Sequence, residues 1–302
     1  MSFRQKHPVI FGLFILAGIV LFFGGALSLL VSTILSPNSQ ADIFAKTGVG
    51  IVEIKGLIVE PEKTISTLTS FRKSKNVKAI VLRIDSPGGA VGASQEIFEE
   101  VKRTNKVKPV IASLGSVGAS GGYYAALGAE QILANPGTLT GSVGVIVKFA
   151  NLEELFAKIG FKNEVVKSGS LKDIGATYRP MTEEERGLLQ GVIDNIHEQF
   201  ILAVAEQRSI QESKVRELAD GRLFTGEQAL DEGLIDKFGN LTDAVLLAAK
   251  LGNLDTEDPE LIYPEREKFS LLGLITGASS LVLQNGLLRN FPYLSYEWNG
   301  TR

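Results

Sequence analysis

Residues Gly115 to Ala126 read GSVGASGGYYAA, and the pattern changes on either side of them. Upstream, Val110 to Leu114 is a short apolar run with β propensity. Downstream, Ser120 to Leu127 places apolar residues at helical spacing. A strand and its loop therefore give way to a helix at Ser120, through glycines that tolerate positive φ and let backbone amides approach a ligand. A serine at such a junction has two readings. It can cap the helix through its side chain, or, flanked by small residues that leave it accessible, it can be a nucleophile.

The same alternation continues outward. Strand-like runs lie at Val49 to Ile54, Ala79 to Ile84 and Gln131 to Ala134, with helical patterns at Thr64 to Lys73, Ala93 to Arg103 and Leu152 to Ile159. Phe161 to Val166 is also strand-like. Strands alternating with helices favour parallel βαβ units, and no internal repeat of about 20 to 50 residues breaks the pattern. Thr182 to Arg208 is predicted to be a long amphipathic helix with Glu183, Glu184 and Glu185 in its first turn, where carboxylates are favoured. A single α/β domain over residues 47–254 accounts for these segments.

Composition narrows the chemistry. Of the 302 residues, 44% are hydrophobic and 22% charged, which excludes a disordered or collagen-like chain. There is no cysteine, and the two histidines are His7 and His197. Thiol chemistry, thiolate zinc sites and multi-histidine metal clusters are thereby excluded, and neither metal nor other cofactor is expected. A formal net charge of −3 argues against a nucleic-acid partner.

From Pro8 to Ala41 there is no ionisable residue, and Val9 to Leu35 is almost wholly apolar or small. Those 27 positions would make roughly 40 Å of helix, enough to cross a hydrocarbon core of ~30 Å with some tilt. The run is longer than the apolar region of a cleaved signal peptide, about 7 to 15 residues. A retained transmembrane anchor over 9–35 is expected, with the lipid bilayer as a partner and 36–46 as a linker. Arg4 and Lys6 precede the span, and no basic residue follows it until Lys46. The N-terminus, 1–8, should therefore be cytoplasmic and the body extracytoplasmic.

Eleven glycines between Asp85 and Gly144 mark where chemistry should lie. Asp85-Ser86-Pro87-Gly88-Gly89 follows a strand and reads as a turn whose amides are free to point into a cleft. A third polar segment, Lys167-Ser168-Gly169-Ser170-Leu171-Lys172-Asp173, reads as solvated unless one of its lysines has chemistry to do. Ser120 needs a base to attack a carbonyl. Gly118 to Gly122 formally matches G-x-S-x-G, whose triad requires a late histidine. His197 is the one late histidine, and it falls inside the long predicted helix, where a triad histidine does not normally sit. A lysine whose pKa is lowered by burial serves instead, leaving a Ser-Lys dyad.

With these segments in view, the chain resembles the signal peptide peptidase A family in its short, single-repeat form. These are serine peptidases of the crotonase/caseinolytic-protease superfamily. The resemblance runs from about Gly48 to Leu254 through IDSPGG at Ile84 to Gly89, GSVGASGGYYAA, TGSVGVI at Thr140 to Ile146, KSGSLKD at Lys167 to Asp173, and ADGRLFTGEQALDEGLID at Ala219 to Asp236. It implies Ser120 as nucleophile, Lys172 as general base, Ser142 as the hydroxyl that orients the lysine, and Gly89 and Gly121 as oxyanion-hole amides. It also implies cleaved signal peptides as substrates and a ring-like homo-oligomer whose sites combine Ser120 and Lys172 of neighbouring chains. A related membrane-bound Ser-Lys protease acting on a specific membrane protein, and a catalytically silent scaffold, remain open alternatives. The last motif, with a helix ending at Gly233, is expected to serve packing or subunit contact and is given no site.

Residues 255–302 differ in character. Thr256 to Lys268 is charged, and Phe269 to Leu288 then runs without a charge but with four Ser/Thr, a Gln, an Asn and three Gly. A docking helix or tail suits this composition better than a second span.

Overall fold

In the computed structural model, β1 (Gly48–Lys55) and β2 (Val77–Ser86) run parallel at the centre of a sheet that continues through β4 (Val110–Ala119). The structure describes residues 12, 15–26, 47–264 and 295–297. Among these, eight strands form the main sheet, in the order β7-β6-β4-β2-β1-β9, with β5 (Gln131–Ala134) paired to β4 and to β8 (Lys237–Phe238). Every pairing within this sheet is parallel except that of β6 (Leu139–Gly141) with β7 (Leu223–Thr225). The expected α/β architecture of parallel βαβ units is present.

Burial on both faces explains why the central strands are continuously apolar rather than alternating. Ala79, Ile80, Val81 and Leu82 are all buried. On one face, Val49, Ile51, Val81 and Ile111 pack against Ala244, Val245, Ala248 and Ala249 of helix 241–251. On the connections, α1 (Glu62–Lys73) buries Leu68 and Phe71, and α2 (Val91–Asn105) buries Ile97, Phe98 and Val101. The other helices that matter to the site are α3 (Gly121–Ala126), α4 (Glu153–Lys158) and α5 (Glu183–Arg208).

β4 changes partners along its length, and this positions the site. Its first half, Ile111 to Ser113, pairs with β5, whereas Val117 to Ala119 pairs with β6. The β2–β4 register shifts between Ile84 and Ser86, opposite the glycine-rich part of β4. Glycine is needed there, because a Cβ at Gly118 would stand 2.7 Å from Leu114 Cδ2.

Three expectations are corrected. Phe161 to Val166 forms no strand; it is exposed and irregular, with no edge to pair with. Gly88–Ala90 is not a simple turn but a short strand, β3, bridged to Ile58 on one side. The sheet also extends past Leu254, since β9 (Glu260–Ile262) pairs with β1.

The chain divides into two compact units, Met1–Lys46 and Thr47–Arg302. In the first, residues 15–26 are helical and expose Ile15, Leu16, Ile19, Val20, Leu21, Phe22 and Phe23. Among the described residues no helix is long and apolar enough to cross a membrane. Most of the remaining positions of the expected anchor, 9–11, 13–14 and 27–35, lie outside the described residues, as does Phe269 to Leu288.

Candidate active site

Ser120 follows the last residue of β4 and precedes the first residue of α3, with φ 54° and ψ −118°. A non-glycine residue in this region carries strain of about 1–3 kcal/mol and persists only where its surroundings dictate it. The dictating contacts are explicit. The Ser120 N–H donates to the Gly141 carbonyl at 2.7 Å, and the Ser120 carbonyl accepts from Tyr124 N–H at 2.8 Å. α3 is itself pinned: buried Tyr123 donates its hydroxyl to the Leu234 carbonyl at 2.8 Å, and Tyr124 packs edge-on against Phe98. Although Ser120 occupies the N-cap position, its side chain caps nothing. The capping alternative is thus removed, and the hydroxyl is left for other use.

Ser142 lies one strand away, in the residue after β6, and is also strained, with φ 51°. It is buried, and its N–H donates to the Arg222 carbonyl at 2.9 Å. Its surroundings form a cavity of about 420 Å³ lined also by Gln190, Asp194, His197 and Asp220. His197 lies mid-helix in α5, as expected, and its buried Nε2 has no hydrogen-bond partner among the described residues. The place of His197 beside Ser142 was not readable from spacing, since the two come from elements far apart in the chain.

Gly121 is the first residue of α3 and is buried; amides in a first turn have no acceptor within their own helix. Gly89 sits in β3, where a Cβ would fall 2.0 Å from the Ile58 carbonyl oxygen, so only glycine fits. Its neighbours face Ile58: the Gly88 carbonyl accepts from Ile58 N–H at 2.9 Å, and Ala90 N–H donates to the Ile58 carbonyl at 2.7 Å. Because successive backbone groups of a strand point to opposite sides, the N–H and carbonyl of Gly89 face away from Ile58. On that side lies β10 (Ser295–Glu297), antiparallel, with Tyr296 opposite Gly89. β3 and β10 both lie against α3. Ser86, which the sequence reading passed over, supports this corner: its hydroxyl donates to the Gly56 carbonyl at 2.6 Å and accepts from Gly88 N–H at 3.1 Å.

The structure thus gathers Ser120, Ser142, Gly121 and Gly89 at the carboxyl ends of interior strands, and Lys172 is placed differently. It is exposed on a turn, its backbone N–H donating to the Gly169 carbonyl at 3.2 Å. Among the described residues no hydrogen bond joins its ammonium to Ser120 or Ser142. The next residue is firmly held: Asp173 accepts from Lys167 Nζ at 2.5 Å, Tyr178 Oη at 2.8 Å and Arg179 Nη2 at 2.8 Å. Arg179 also donates to both carboxylate oxygens of Glu185, through Nη1 at 2.9 Å and through Nη2. Hydrogen bonds from Arg179, then from Lys167 and Tyr178, hold the Asp173 carboxyl well below the usual carboxylate range. Arg179, followed by the Thr182 N–H, lowers Glu185 to about 2. Among the described residues no group of three His, Asp or Glu side chains could hold a metal ion.

Comparison with known proteins places this geometry. The Peptidase family S49 pattern matches residues 102–255, and that of Clp protease matches 57–137. A Synechocystis sp. protein named as a protease is 43% identical over 230 residues, covering 76% of this chain and 83% of the relative. The chain belongs to peptidase family S49. As an S49 member it is a serine peptidase, and the residues matched include Ser120, Ser142 and Lys172. Serine protease SPPA, chloroplastic, of Arabidopsis thaliana is 37% identical over 246 residues, 79% of the S49 chain but 36% of the relative. An Enterococcus faecium protein named for signal peptide peptidase SppA is 36% identical over 182 residues, 60% of the S49 chain and 53% of the relative. The S49 chain therefore spans about a third and about half of these two relatives. Among solved structures, a mutant of the 1510-N membrane-bound stomatin-specific protease aligns with TM-score 0.48 at 21% identity, covering 74% of this chain and all of that one. A ClpP1 mutant from Listeria monocytogenes aligns with TM-score 0.44 at 20% identity, covering 65% of this chain and 94% of that one.

Proposed function

We propose that this S49 peptidase is a membrane-anchored endopeptidase that degrades remnant signal peptides outside the cytoplasm, with Ser120 and Lys172 as its dyad. The observation that carries the reading is Ser120 itself, a buried serine in a strained strand-to-helix turn whose hydroxyl caps nothing. That conformation presents a hydroxyl as a nucleophile elbow does.

In the reaction, neutral Lys172 accepts the Ser120 proton as Ser120 Oγ bonds to the scissile carbonyl carbon. The amides of Gly89 and Gly121 donate to the oxyanion; losing one such donor typically costs ~2.7–4 kcal/mol of barrier. Collapse breaks the peptide C–N bond, and the lysine returns its proton to the leaving amine. Water then gives a proton to the same lysine as it bonds to the acyl carbon; the C–Oγ bond breaks, the acid product leaves, and the lysine returns the proton to Ser120 Oγ. Ser142 accepts from or donates to the lysine and orients it.

The exposure of Lys172, with Ser120 buried, supports a site completed by a neighbouring copy in a ring. The clamp on Asp173 reaches the first turn of α5 at Glu185, while the Ser142 cavity is lined by Gln190 to His197. At ~1.5 Å per residue these lie roughly 8–18 Å further along the helix. A lysine also works as a base best in a dry, enclosed place, which an interface supplies. Substrate choice follows from the apolar N-terminal run, which would hold the enzyme where cleaved signal peptides remain, and from the name of the Enterococcus relative.

The test is to incubate detergent-solubilised full-length enzyme with a panel of synthetic signal peptides and intact membrane proteins and to map cuts by mass spectrometry. Cuts confined to the peptides, and absent with Ser120→Ala, are expected. Cleavage of the intact proteins alone would overturn the substrate assignment. Ser120→Ala and Lys172→Ala chains co-expressed with different affinity tags should regain activity in mixed oligomers; inactive mixed oligomers would overturn the shared site.

A further inference from the structure

We infer that Arg179 is a positioning residue for the Lys172 base, tying the residue after that lysine to the start of α5. The inference rests on the dyad reading above and concerns a residue that no sequence motif singled out.

Between Lys158 at the end of α4 and Glu183 at the start of α5 the chain forms neither strand nor helix. No ladder of backbone hydrogen bonds holds this segment, so its path depends on individual ties. Three follow Lys172 in close succession. Asp173 is held by Arg179, Tyr178 and Lys167. Gly175, with φ 76°, lies under the Phe149 ring, which would stand 2.2 Å from any Cβ there. The Thr177 carbonyl accepts from Leu152 N–H at 2.7 Å. Lys172 stands just before these ties with its side chain exposed.

Of the ties, Arg179 reaches the most rigid element. Its guanidinium meets Asp173 and Glu185 at once, and Glu185 is 2% exposed. Glu185 is fixed in turn by a capping box: it accepts from Thr182 N–H at 2.9 Å and donates its own N–H to Thr182 Oγ1 at 3.2 Å. A planar fork of donors can serve two carboxylates on different segments, and an ammonium cannot reproduce that geometry. The arrangement fixes the backbone of a catalytic turn while leaving the reacting side chain free to project. Supporting groups of this kind decide whether a base arrives within reach or about 1 Å away.

The test uses full-length enzyme and a cleavable peptide. Arg179→Met is expected to lower kcat roughly 10- to 100-fold with KM within about two-fold, and Arg179→Lys to restore little of it. Glu185→Gln, which can keep its hydrogen bond from Thr182 N–H, should lower kcat in the same direction by a smaller factor, and it serves if Arg179→Met does not fold. Arg72→Met is the control, because Arg72 pairs with buried Glu100 between α1 and α2 and its loss should lower Tm without lowering kcat. Full kcat in both Arg179→Met and Glu185→Gln, beside an inactive Lys172→Ala, would overturn the role of Arg179 alone. Equal loss of kcat per degree of Tm in Arg179→Met and Arg72→Met would reduce it to a structural tie and likewise overturn the inference. An active Lys172→Ala would overturn the dyad itself.

Discussion

Ser120 and Ser142 leave adjacent parallel strands one step beyond a paired position, Ala119 opposite Gly141, and each carries a left-handed φ, 54° and 51°. The two strained serines are held by two backbone hydrogen bonds, Ser120 N–H to Gly141 and Ser142 N–H to Arg222. They lie at the carboxyl ends of their strands, where open parallel sheets place their ligand sites. Strain of this kind costs stability and clusters at functional sites.

Replacing Ser120 by glycine should therefore separate stability from activity. Glycine adopts positive φ freely, so Ser120→Gly should abolish hydrolysis yet raise stability by about 1 kcal/mol. Thermal unfolding alongside a peptide assay checks this, and a variant less stable than Ser120→Ala would contradict strain at that residue.

A lysine base fixes the sign of the pH–rate profile. Only the neutral amine accepts a proton, and the reference ammonium loses its own near 10.4. Activity should rise with pH through the neutral and alkaline range, and Lys172→Arg should be inactive because guanidinium stays protonated. A flat profile where chemistry limits turnover would contradict the assignment.

The clamp beyond Lys172 responds to pH in the acid range instead. Asp173 and Glu185 both have folded-state pKa values below their unfolded ones. Their contribution is present above the unfolded carboxylate range and is lost as pH falls, for Glu185 between about 4.5 and about 2. Protection factors of the hydrogen-bonded amides of Lys172, Ile174 and Ala176 should hold at pH 5 and fall below pH ~4; a fall already at pH 6 would contradict it.

β10 occupies the edge of β3 that a pairing peptide would use, with Tyr296 opposite Gly89. An extended substrate adding a strand there must displace it. Deleting residues 295–302 should therefore lower KM with little change in kcat. An unchanged KM in steady-state kinetics would show that the strand does not compete.

Away from the site, Glu100 is buried and pairs with Arg72 and Arg103, and Thr69 donates to it at 3.0 Å. Removing one partner of a buried pair typically costs ~3–5 kcal/mol; with Arg103 still present, Arg72→Met should cost about 2–3 kcal/mol. Denaturant unfolding measures this, and a loss under about 0.5 kcal/mol would mean that Arg103 alone suffices.

The order and type of elements were legible because each depends on local pattern. The short, β-branched apolar run Ala79 to Leu82 suits a strand buried on both faces, and Thr182 with Glu185 carries a helix start in four residues. Ser120 stood out because glycines cluster where a backbone must bend sharply. Phe161 to Val166 was misleading, since a strand also needs a partner edge and none pairs with it among the described residues. Asp85 to Gly89 reads as a turn, yet Gly88–Ala90 is a strand, because Ile58 supplies an edge from another segment. By itself, then, the sequence determined the parallel α/β plan and the serine at its strand-to-helix turn. Only the tertiary structure decided that this serine would be strained and uncapped, that Glu185 would answer Arg179 as well as its own helix, and that Lys172 would stand exposed on a tethered turn. These outcomes depend on which segments meet in space, and loop paths and ion pairs between distant residues leave no periodic trace along the chain.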